Sequence, residues 1–280
     1  NIGAFDRNMT QKDGEHLEQA DGTSWMAMYA LNMMRIAMEL AQYYQVYEDM
    51  AIKFFEHYLY IAEAMENMGE DKEGLWNEED GFFYDVLQLG NGESVTLRLR
   101  SIVGLIPLFA VEIIDHNLLE KMPNFRERME WVLKNKPELA NLVSHWEEEG
   151  SGRKHLMSIL RKTRLTKVLS RMLDEKEFLS QYGIRAMSKV YEENPFVFTV
   201  HGNQNIVYYT PAESDSRMFG GNSNWRGPIW FPINFLIVES LQRFHFYYGN
   251  SLKVELPTGS GDKRNLDEVA QNISNRLCSI

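Results

Sequence analysis

Hydrophobic residues recur at helical spacing over most of this chain. The pattern predicts helices over residues 24–45, 47–67, 102–114, 124–134, 154–173 and 232–248, and a weaker one over 267–277. The first segment is apolar on nearly all sides, so we expect it to be surrounded by protein. Asp21, Thr23 and Ser24 are residue types that commonly cap a helix start. The first two helices are adjacent and should form an αα-hairpin.

Two shorter segments have the character of β-hairpins. In residues 74–89, the pair Asp80-Gly81 lies between aromatic and aliphatic residues that favour strands. In residues 195–209, β-branched and aromatic residues flank a His201-Gly202-Asn203 turn.

Helix pairs separated by loops that carry β-hairpins are typical of an α/α toroid. We therefore predict a mainly α fold, an (α/α)6 barrel of helix hairpins with short β-hairpins in the loops. A closed ring needs roughly twelve helices of ordinary length, and the predicted helices are fewer. We interpret residues 1–280 as one partial barrel domain. An open helical solenoid is the alternative, although no fixed-period repeat supports it.

Charge and composition narrow the class of protein. The chain has 29 Lys and Arg against 40 Asp and Glu, a net charge of −11, which disfavours nucleic acid as a partner. The single cysteine, Cys278, cannot form an internal disulfide or build a zinc site alone, which favours a reducing, cytoplasmic environment. No window is apolar enough to predict a membrane segment. These features fit an acidic soluble enzyme.

The segment from Gly220 to Asn234 carries the most informative chemistry. It places Arg226 between Trp225 and Trp230, after a run of glycine and asparagine that includes Asn224. Indole faces stack on the C–H surface of a sugar ring, while guanidinium and amide groups bind its hydroxyls. The alternative is that both tryptophans belong to the core and that the arginine clamps a loop.

Other candidate contacts lie elsewhere in the chain. Asp21 and Trp25 lie where the first helix begins, although Asp21 is also an ordinary N-cap type. Tyr182 and Arg185 flank a glycine, a combination that means little alone. Glu239 lies mid-helix among apolar residues, where a carboxylate is costly unless it is paired, functional or on a solvent-facing stripe.

Several enzyme classes lack their signature in this sequence. The histidines show no zinc-hydrolase spacing, and neither a nucleophile elbow nor a phosphate loop is present. We therefore predict no metal and no cofactor, and we interpret Glu78-Glu79-Asp80 as a solvated turn rather than a calcium site. Carboxylate chemistry on a carbohydrate remains the natural candidate.

At these residues the sequence resembles glycoside hydrolase family 63, the family of processing α-glucosidase I and of relatives acting on α-glucosides and mannosylglycerate. Four stretches carry the resemblance in family order: 17–26, 75–85, 178–185, and above all Asn224-Trp225-Arg226-Gly227-Pro228-Ile229-Trp230 followed by Asn234. Together they span nearly the whole chain.

The resemblance implies an (α/α)6 barrel and inverting hydrolysis of α-linked glucosides or mannosides, in oligosaccharides or small glycosides, by a general acid and a general base. The family's acid precedes a stretch like Asn1-Ile2-Gly3, and its base lies in a Glu-Tyr motif that is absent after Arg226. The resemblance thus places the acid before Asn1 and the base after Ile280, and implies that this chain is an inactive central fragment. Substrate contact then falls to Asp21, Trp25, Tyr182, Arg185, Asn224, Trp225, Arg226, Trp230 and Glu239.

Two alternatives remain open. A sugar epimerase or a polysaccharide lyase uses the same toroid, and a lyase would favour additional His and Arg in the pocket. A non-catalytic carbohydrate-binding helical protein would keep its tryptophans on an open face or inside the core. Convergence of Trp25, Trp225 and Trp230 on one cleft would favour a sugar-processing pocket.

Overall fold

A computed structural model describes residues 14–66, 74–136, 139, 154–200, 202–210 and 229–280. Within these ranges the fold is mainly helical. The α-helices are α1 (Ala20–Ala41), α2 (Tyr47–Glu66), α3 (His116–Glu120), α4 (Pro123–Asn135), α5 (Lys162–Met172), α6 (Phe231–Tyr248) and α7 (Leu266–Leu277). The 3-10 helices are Ile102–Phe109, Lys189–Tyr191 and Gly249–Ser251. None of the helices in these ranges is long and apolar enough to cross a membrane.

Short antiparallel strands lie between the helices. Their bounds are β1 (His16–Glu18), β2 (Trp76–Asn77), β3 (Phe82–Phe83), β4 (Asp85–Gln88), β5 (Ser94–Leu97), β6 (Val111–Asp115), β7 (Lys154–Ser158), β8 (Leu179–Ser180), β9 (Gly183–Ile184), β10 (Phe196–Val200), β11 (Asn203–Val207), β12 (Lys253–Glu255) and β13 (Lys263–Asn265). Strand β4 lies between β1 and β5, and the remaining strands form two-stranded sheets. The two predicted hairpins are confirmed as β2–β3 and β10–β11, with Trp76 opposite Phe83 and Phe196 opposite Val207.

Helices α1 and α2 form the predicted hairpin. Small residues such as Ala27 and Ala30 alternate with methionine and leucine on the buried face of α1, which lets the two helices approach closely. The outer face of α1 contradicts the prediction of a surrounded helix, because Tyr29 is 56% exposed and Ile36 is 52% exposed. Among the described residues, nothing covers this face well enough to bury those side chains.

The start of α1 differs from the prediction because a distant residue caps it. The helix begins at Ala20, whose backbone N–H donates to Oδ1 of Asp85 on β4 at 2.8 Å. The hydroxyls of Thr23 and Ser24, which were candidate caps, instead donate to backbone carbonyls of Gln19 and Ala20 at 2.7 and 2.6 Å. A carboxylate from another element thus satisfies a donor that the local sequence leaves open.

Two predicted helices are wrong in part. Residues 102–114 form a 3-10 helix followed by β6, and the start of 154–173 is strand β7. The two strands pair with each other, with Ile113 opposite Leu156. Because that pairing joins segments about forty residues apart, the local hydrophobic period does not reveal it.

The 3-10 helix Ile102–Phe109 forms the centre of the core, and all of its residues are buried. Helices α1 and α6 and strand β3 pack against it. Gly104 permits this approach, because a Cβ there would lie 2.1 Å from the ring of Phe82 and 2.5 Å from the carbonyl oxygen of Phe83. The described helices do not close into a ring, so the toroid stays a prediction.

Candidate functional site

The start of α6 is held against strand β9 by one buried amide. Oδ1 of Asn234 accepts from the backbone N–H of Ile184 at 2.7 Å, and its Nδ2 donates to the carbonyls of Ile184 and Trp230 at 3.0 Å each. Gly183 has a φ of +120°, and a Cβ at this position would lie 2.9 Å from Oδ1 of Asn234. The backbone on both sides of this junction is therefore fixed.

Three predicted contact residues lie on the two segments that this junction joins. Trp230 is the N-cap residue of α6 and is half-buried, and Arg185 pairs with Ile229, the residue before Trp230, in an isolated antiparallel bridge. Tyr182 lies in the β8–β9 turn with 43% of its surface exposed. Nη1 of Arg185 donates to backbone carbonyls, including that of Leu179, so this cation also holds the loop. We call Tyr182, Arg185 and Trp230 the junction group.

The remaining residues of the Trp-Arg-Gly-Pro-Ile-Trp stretch cannot be placed with this group. Asn224, Trp225 and Arg226 lie outside the described residues. Their predicted substrate contacts, and the convergence of Trp225 with Trp25 and Trp230, stay predictions.

Asp21 and Trp25 lie in the first two turns of α1. Oδ1 of Asp21 accepts from the backbone N–H of Gly22 at 2.8 Å, and the Trp25 ring packs on Phe109 with 5.4 Å between centroids. Both tryptophans that the structure describes among the candidates, Trp25 and Trp230, are partly buried against the core. Each keeps some exposed surface, which stacking on a sugar ring requires.

Glu239 lies well away from the junction group. It is nine residues beyond Trp230 on α6, which is about 13 Å along the helix axis. Its Oε1 accepts from Nη2 of Arg243 at 2.9 Å. Glu239 is therefore part of an ion pair rather than an isolated carboxylate.

A charged cluster at the β2–β3 turn was not recognised in the sequence. The carboxylate of Asp80, whose side chain is only 13% exposed, accepts from Nε of Arg98 at 2.8 Å and from Nη2 of Arg100 at 3.3 Å. Glu177 accepts from Nη1 of Arg100 at 3.2 Å and from Nη1 of Arg171 at 2.6 Å. We call these five residues the arginine–carboxylate cluster. The interpretation of residues 78–80 as a solvated turn is therefore wrong for Asp80, because three guanidinium groups surround it.

The surroundings of Asp80 keep its carboxyl ionised near neutral pH. Burial alone would raise the pKa of the Asp80 carboxyl, but hydrogen bonds from Arg98 and Tyr84 and the charge of Arg100 outweigh burial and lower that pKa. A carboxyl of lowered pKa suits ion pairing and is a poor general acid near neutral pH. The cluster therefore connects the β2–β3 turn with α5 and the segment before β8. The alternation of Leu97-Arg98-Leu99-Arg100 was the one sequence signal for it, because alternate residues of an extended chain share a side.

Open clefts lie on two sides of Asp80. One of about 580 Å³ is lined by the β2–β3 turn and by Lys167 and Arg171 of α5. The other, of about 500 Å³, lies between Arg98 and the aromatic residues Tyr191 and Phe196. Within the described ranges, no three His, Cys, Asp or Glu side chains gather as ligands for a metal ion.

The comparison with protein families is decisive. Residues 4–278 match the model of the glycosyl hydrolase family 63 C-terminal domain. The chain belongs to glycosyl hydrolase family 63. The resemblance described from the sequence motifs is thereby confirmed at the level of the family.

Two fungal proteins are similar in sequence to this family 63 chain. Uncharacterized protein YMR196W of Saccharomyces cerevisiae is 48% identical over 292 residues, which cover 100% of this chain and 27% of the yeast protein. Probable mannosyl-oligosaccharide glucosidase of Schizosaccharomyces pombe is 30% identical over 114 residues, which cover 41% of this chain and 10% of that protein. The chain thus spans about a quarter of the length of the first relative.

Proposed function

We propose that this family 63 chain forms part of an inverting glycoside hydrolase that acts on α-linked glucosides or mannosides, either in oligosaccharides or in small glycosides. Family membership and the name of the Schizosaccharomyces pombe relative support glycoside hydrolysis. The structural observation that supports a saccharide site is the junction group, because Asn234 joins the start of α6 at Trp230 to strand β9, which directly follows the turn that carries Tyr182.

The junction group suits substrate binding rather than proton transfer. An aromatic ring held on rigid backbone can stack on a sugar, and a phenol can hydrogen-bond a sugar hydroxyl. An inverting enzyme also needs two carboxyl groups about 6.5–9.5 Å apart, and the charged pairs at Asp80 and Glu239 do not offer a free acid. Since the chain spans 27% of the yeast relative, we propose the acid and the base for the whole polypeptide rather than for this chain.

The proposed ring is the (α/α)6 toroid. Helix hairpin α1–α2 and the packed pair α6–α7 supply two of its helix pairs, and α1 and α6 both lie against the 3-10 helix. The β2–β3 turn carries Asp80 of the charged cluster and the β8–β9 turn carries Tyr182 of the junction group, and we place both turns at the loop end of such a ring.

Hydrolysis by the full-length protein tests the proposal. We expect turnover of at least one α-glucoside or α-mannoside, and release of a sugar whose anomeric configuration, followed by proton NMR, is opposite to that of the substrate. Tyr182→Ala and Trp230→Ala should each lower kcat/KM by about tenfold, which corresponds to a loss of about 1.4 kcal/mol of transition-state binding. Tyr43→Ala, at an 81% exposed tyrosine in the α1–α2 turn, is the matched control and should leave kcat/KM unchanged. Retention of configuration, or no turnover of any such glycoside, would contradict the proposal.

A further inference from the structure

Strand β6 carries a carboxylate between two helices that the proposed site also uses. Glu112 lies on β6, and both α1 and α6 pack against this strand. Its side chain is 9% exposed. A carboxylate this well buried needs partners.

Each neighbouring helix supplies one of those partners. Nη1 of Arg243, on α6, donates to Oε2 of Glu112 at 3.2 Å. Nη1 of Arg35, on α1, lies 3.9 Å from Oε1. The backbone N–H of Ile113 also donates to Oε1 at 2.9 Å. One side chain therefore receives a cation from each helix.

Each arginine holds a second carboxylate on its own helix. Nη2 of Arg35 lies 2.7 Å from Oε1 of Glu39, and Nη2 of Arg243 lies 2.9 Å from Oε1 of Glu239. The five side chains form a continuous series, Glu39–Arg35–Glu112–Arg243–Glu239, which we call the interhelix charge chain. If Glu112 loses its charge, each guanidinium still keeps an ionic partner.

We propose that Glu112 is a positioning residue, whose carboxylate fixes α1 and α6 relative to each other and thereby sets the placement of Trp25 and Trp230. A salt bridge has a preferred direction, which apolar contact lacks, and it constrains the rotation of each helix about its axis. Each helix moves as a stiff rod over this length. If the salt bridge at Arg35 or Arg243 is lost and the helix rotates about its axis, the first turn of that helix rotates with it. The consequence for saccharide binding rests on the proposed function, whereas the coupling of the helices does not.

The energetics support positioning over simple stabilisation. Burial raises the pKa of the Glu112 carboxyl, although the charges of Arg243 and Arg35 act to lower it. The charged form is therefore held at a cost at neutral pH, and replacement of a buried ion pair by a neutral group of similar shape is often neutral or stabilising. A buried carboxylate that adds little net stability can still fix the orientation of the helices that it joins.

Glu112→Gln in the full-length protein tests the proposal, because glutamine keeps the shape and removes the charge. Amide hydrogen exchange in the first turns of α1 and α6 should become about tenfold faster, as expected when one charge-assisted contact no longer restrains local opening. The thermal midpoint at pH 7 should stay the same or rise. Glu39→Gln is the matched control, because it neutralises the outer end of the interhelix charge chain and leaves Glu112 intact; it should leave exchange in α6 unchanged.

Two results would overturn the proposal. One is unchanged exchange in both helices of Glu112→Gln, and the other is a lowered thermal midpoint with exchange faster throughout the chain. If the full-length protein hydrolyses an α-glycoside, Glu112→Gln should also lower kcat at least as much as it raises KM, because misplaced contacts weaken transition-state binding. If no glycoside is hydrolysed, the proposed function fails, while the exchange result still decides the role of Glu112.

Discussion

At the scale of single residues, Asn234 joins two elements of the fold through its side chain. It is fully buried, and three backbone groups on two elements depend on its amide. An amide is suited to this position because it offers an acceptor and two donors without charge. The placement of Trp230 follows from this side chain.

Replacement of Asn234 by alanine should expose how much the junction depends on it. Asn234→Ala leaves the N–H and C=O of Ile184 without partners in a buried place, so the free energy of unfolding should fall by about 3 kcal/mol. Urea denaturation followed by circular dichroism measures this change. Ser240→Ala, on the same helix, is the control and should change it by less than about 1 kcal/mol. Equal effects of the two substitutions would contradict the assigned role.

Gly183 permits a separate prediction, based on steric strain. Gly183→Ala combines a positive φ with a Cβ 2.9 Å from both Oδ1 of Asn234 and Cδ2 of Leu277. The cost should be about 2–3 kcal/mol. Gly202 has a φ of +77° but no atom within 4 Å of the added Cβ, so Gly202→Ala should cost only about 1 kcal/mol. Thermal unfolding of both variants separates the steric contribution from the backbone contribution, and equal losses would show that packing against Asn234 is unimportant.

At the scale of elements, the β2–β3 turn is stabilised mainly from outside itself. Arg98 and Arg100 follow β5, and Arg171 lies in the last turn of α5, yet all three approach Asp80. The two strands of the hairpin have only two residue pairs, which is too few for independent stability. The arginine–carboxylate cluster therefore determines the position of this turn.

Asp80→Asn should destabilise this region in a pH-dependent way. The variant leaves three guanidinium groups with less negative charge, so the free energy of unfolding at pH 7 should fall by about 3 kcal/mol. Because the folded pKa of Asp80 is lowered, its contribution is complete above the ordinary aspartate pKa of about 3.9 and is lost as pH falls through the folded pKa. Chemical denaturation of the wild type and of Asp80→Asn between pH 7 and pH 3 measures the free energy of unfolding of each. A difference between wild type and Asp80→Asn that persists undiminished at pH 3 would contradict this account.

Local periodicity predicted those elements whose stability has a local cause. Helices α2, α4, α6 and α7 and both hairpins follow from hydrophobic spacing and turn residues. The pairing of β6 with β7 does not, because each strand obtains its hydrogen bonds from a distant segment. The predicted start of α1 was wrong for the same reason, because the residue that accepts from its first N–H, Asp85, is distant in the sequence.

The candidate site was predictable where aromatic residues and glycine occur together. The stretch around Tyr182 and the one that ends at Trp230 were identified separately, and the structure joins them through Asn234. The arginine–carboxylate cluster was missed because Asp80 and its three arginines come from separate segments. Ion pairs between distant segments leave little trace in a single sequence, whereas a tryptophan beside an arginine is visible directly.

At the scale of the whole molecule, two groups of ion pairs respond to acid in opposite directions. The chain carries a net charge of −11, so moderate acidification first reduces overall repulsion. The cluster at Asp80 loses stability as pH falls, because the folded pKa of Asp80 is lowered. The interhelix charge chain behaves differently, because the raised folded pKa of Glu112 makes its contribution complete below the ordinary glutamate pKa and smaller as pH rises through the folded value.

The opposite signs predict which part of the fold opens first in acid. As pH falls below about 4, backbone amides of residues 76–83 and of α5 should lose protection from hydrogen exchange, after correction for the intrinsic exchange rate. Amides of β6 should keep theirs over the same range, because protonation of Glu112 removes a buried charge there. In Asp80→Asn, the loss around the turn should already be present at pH 7. Loss of protection in β6 at a higher pH than in the β2–β3 turn would contradict the assignment of these two charge groups. It would mean that protonation of Glu112 destabilises the fold more than protonation of Asp80 does.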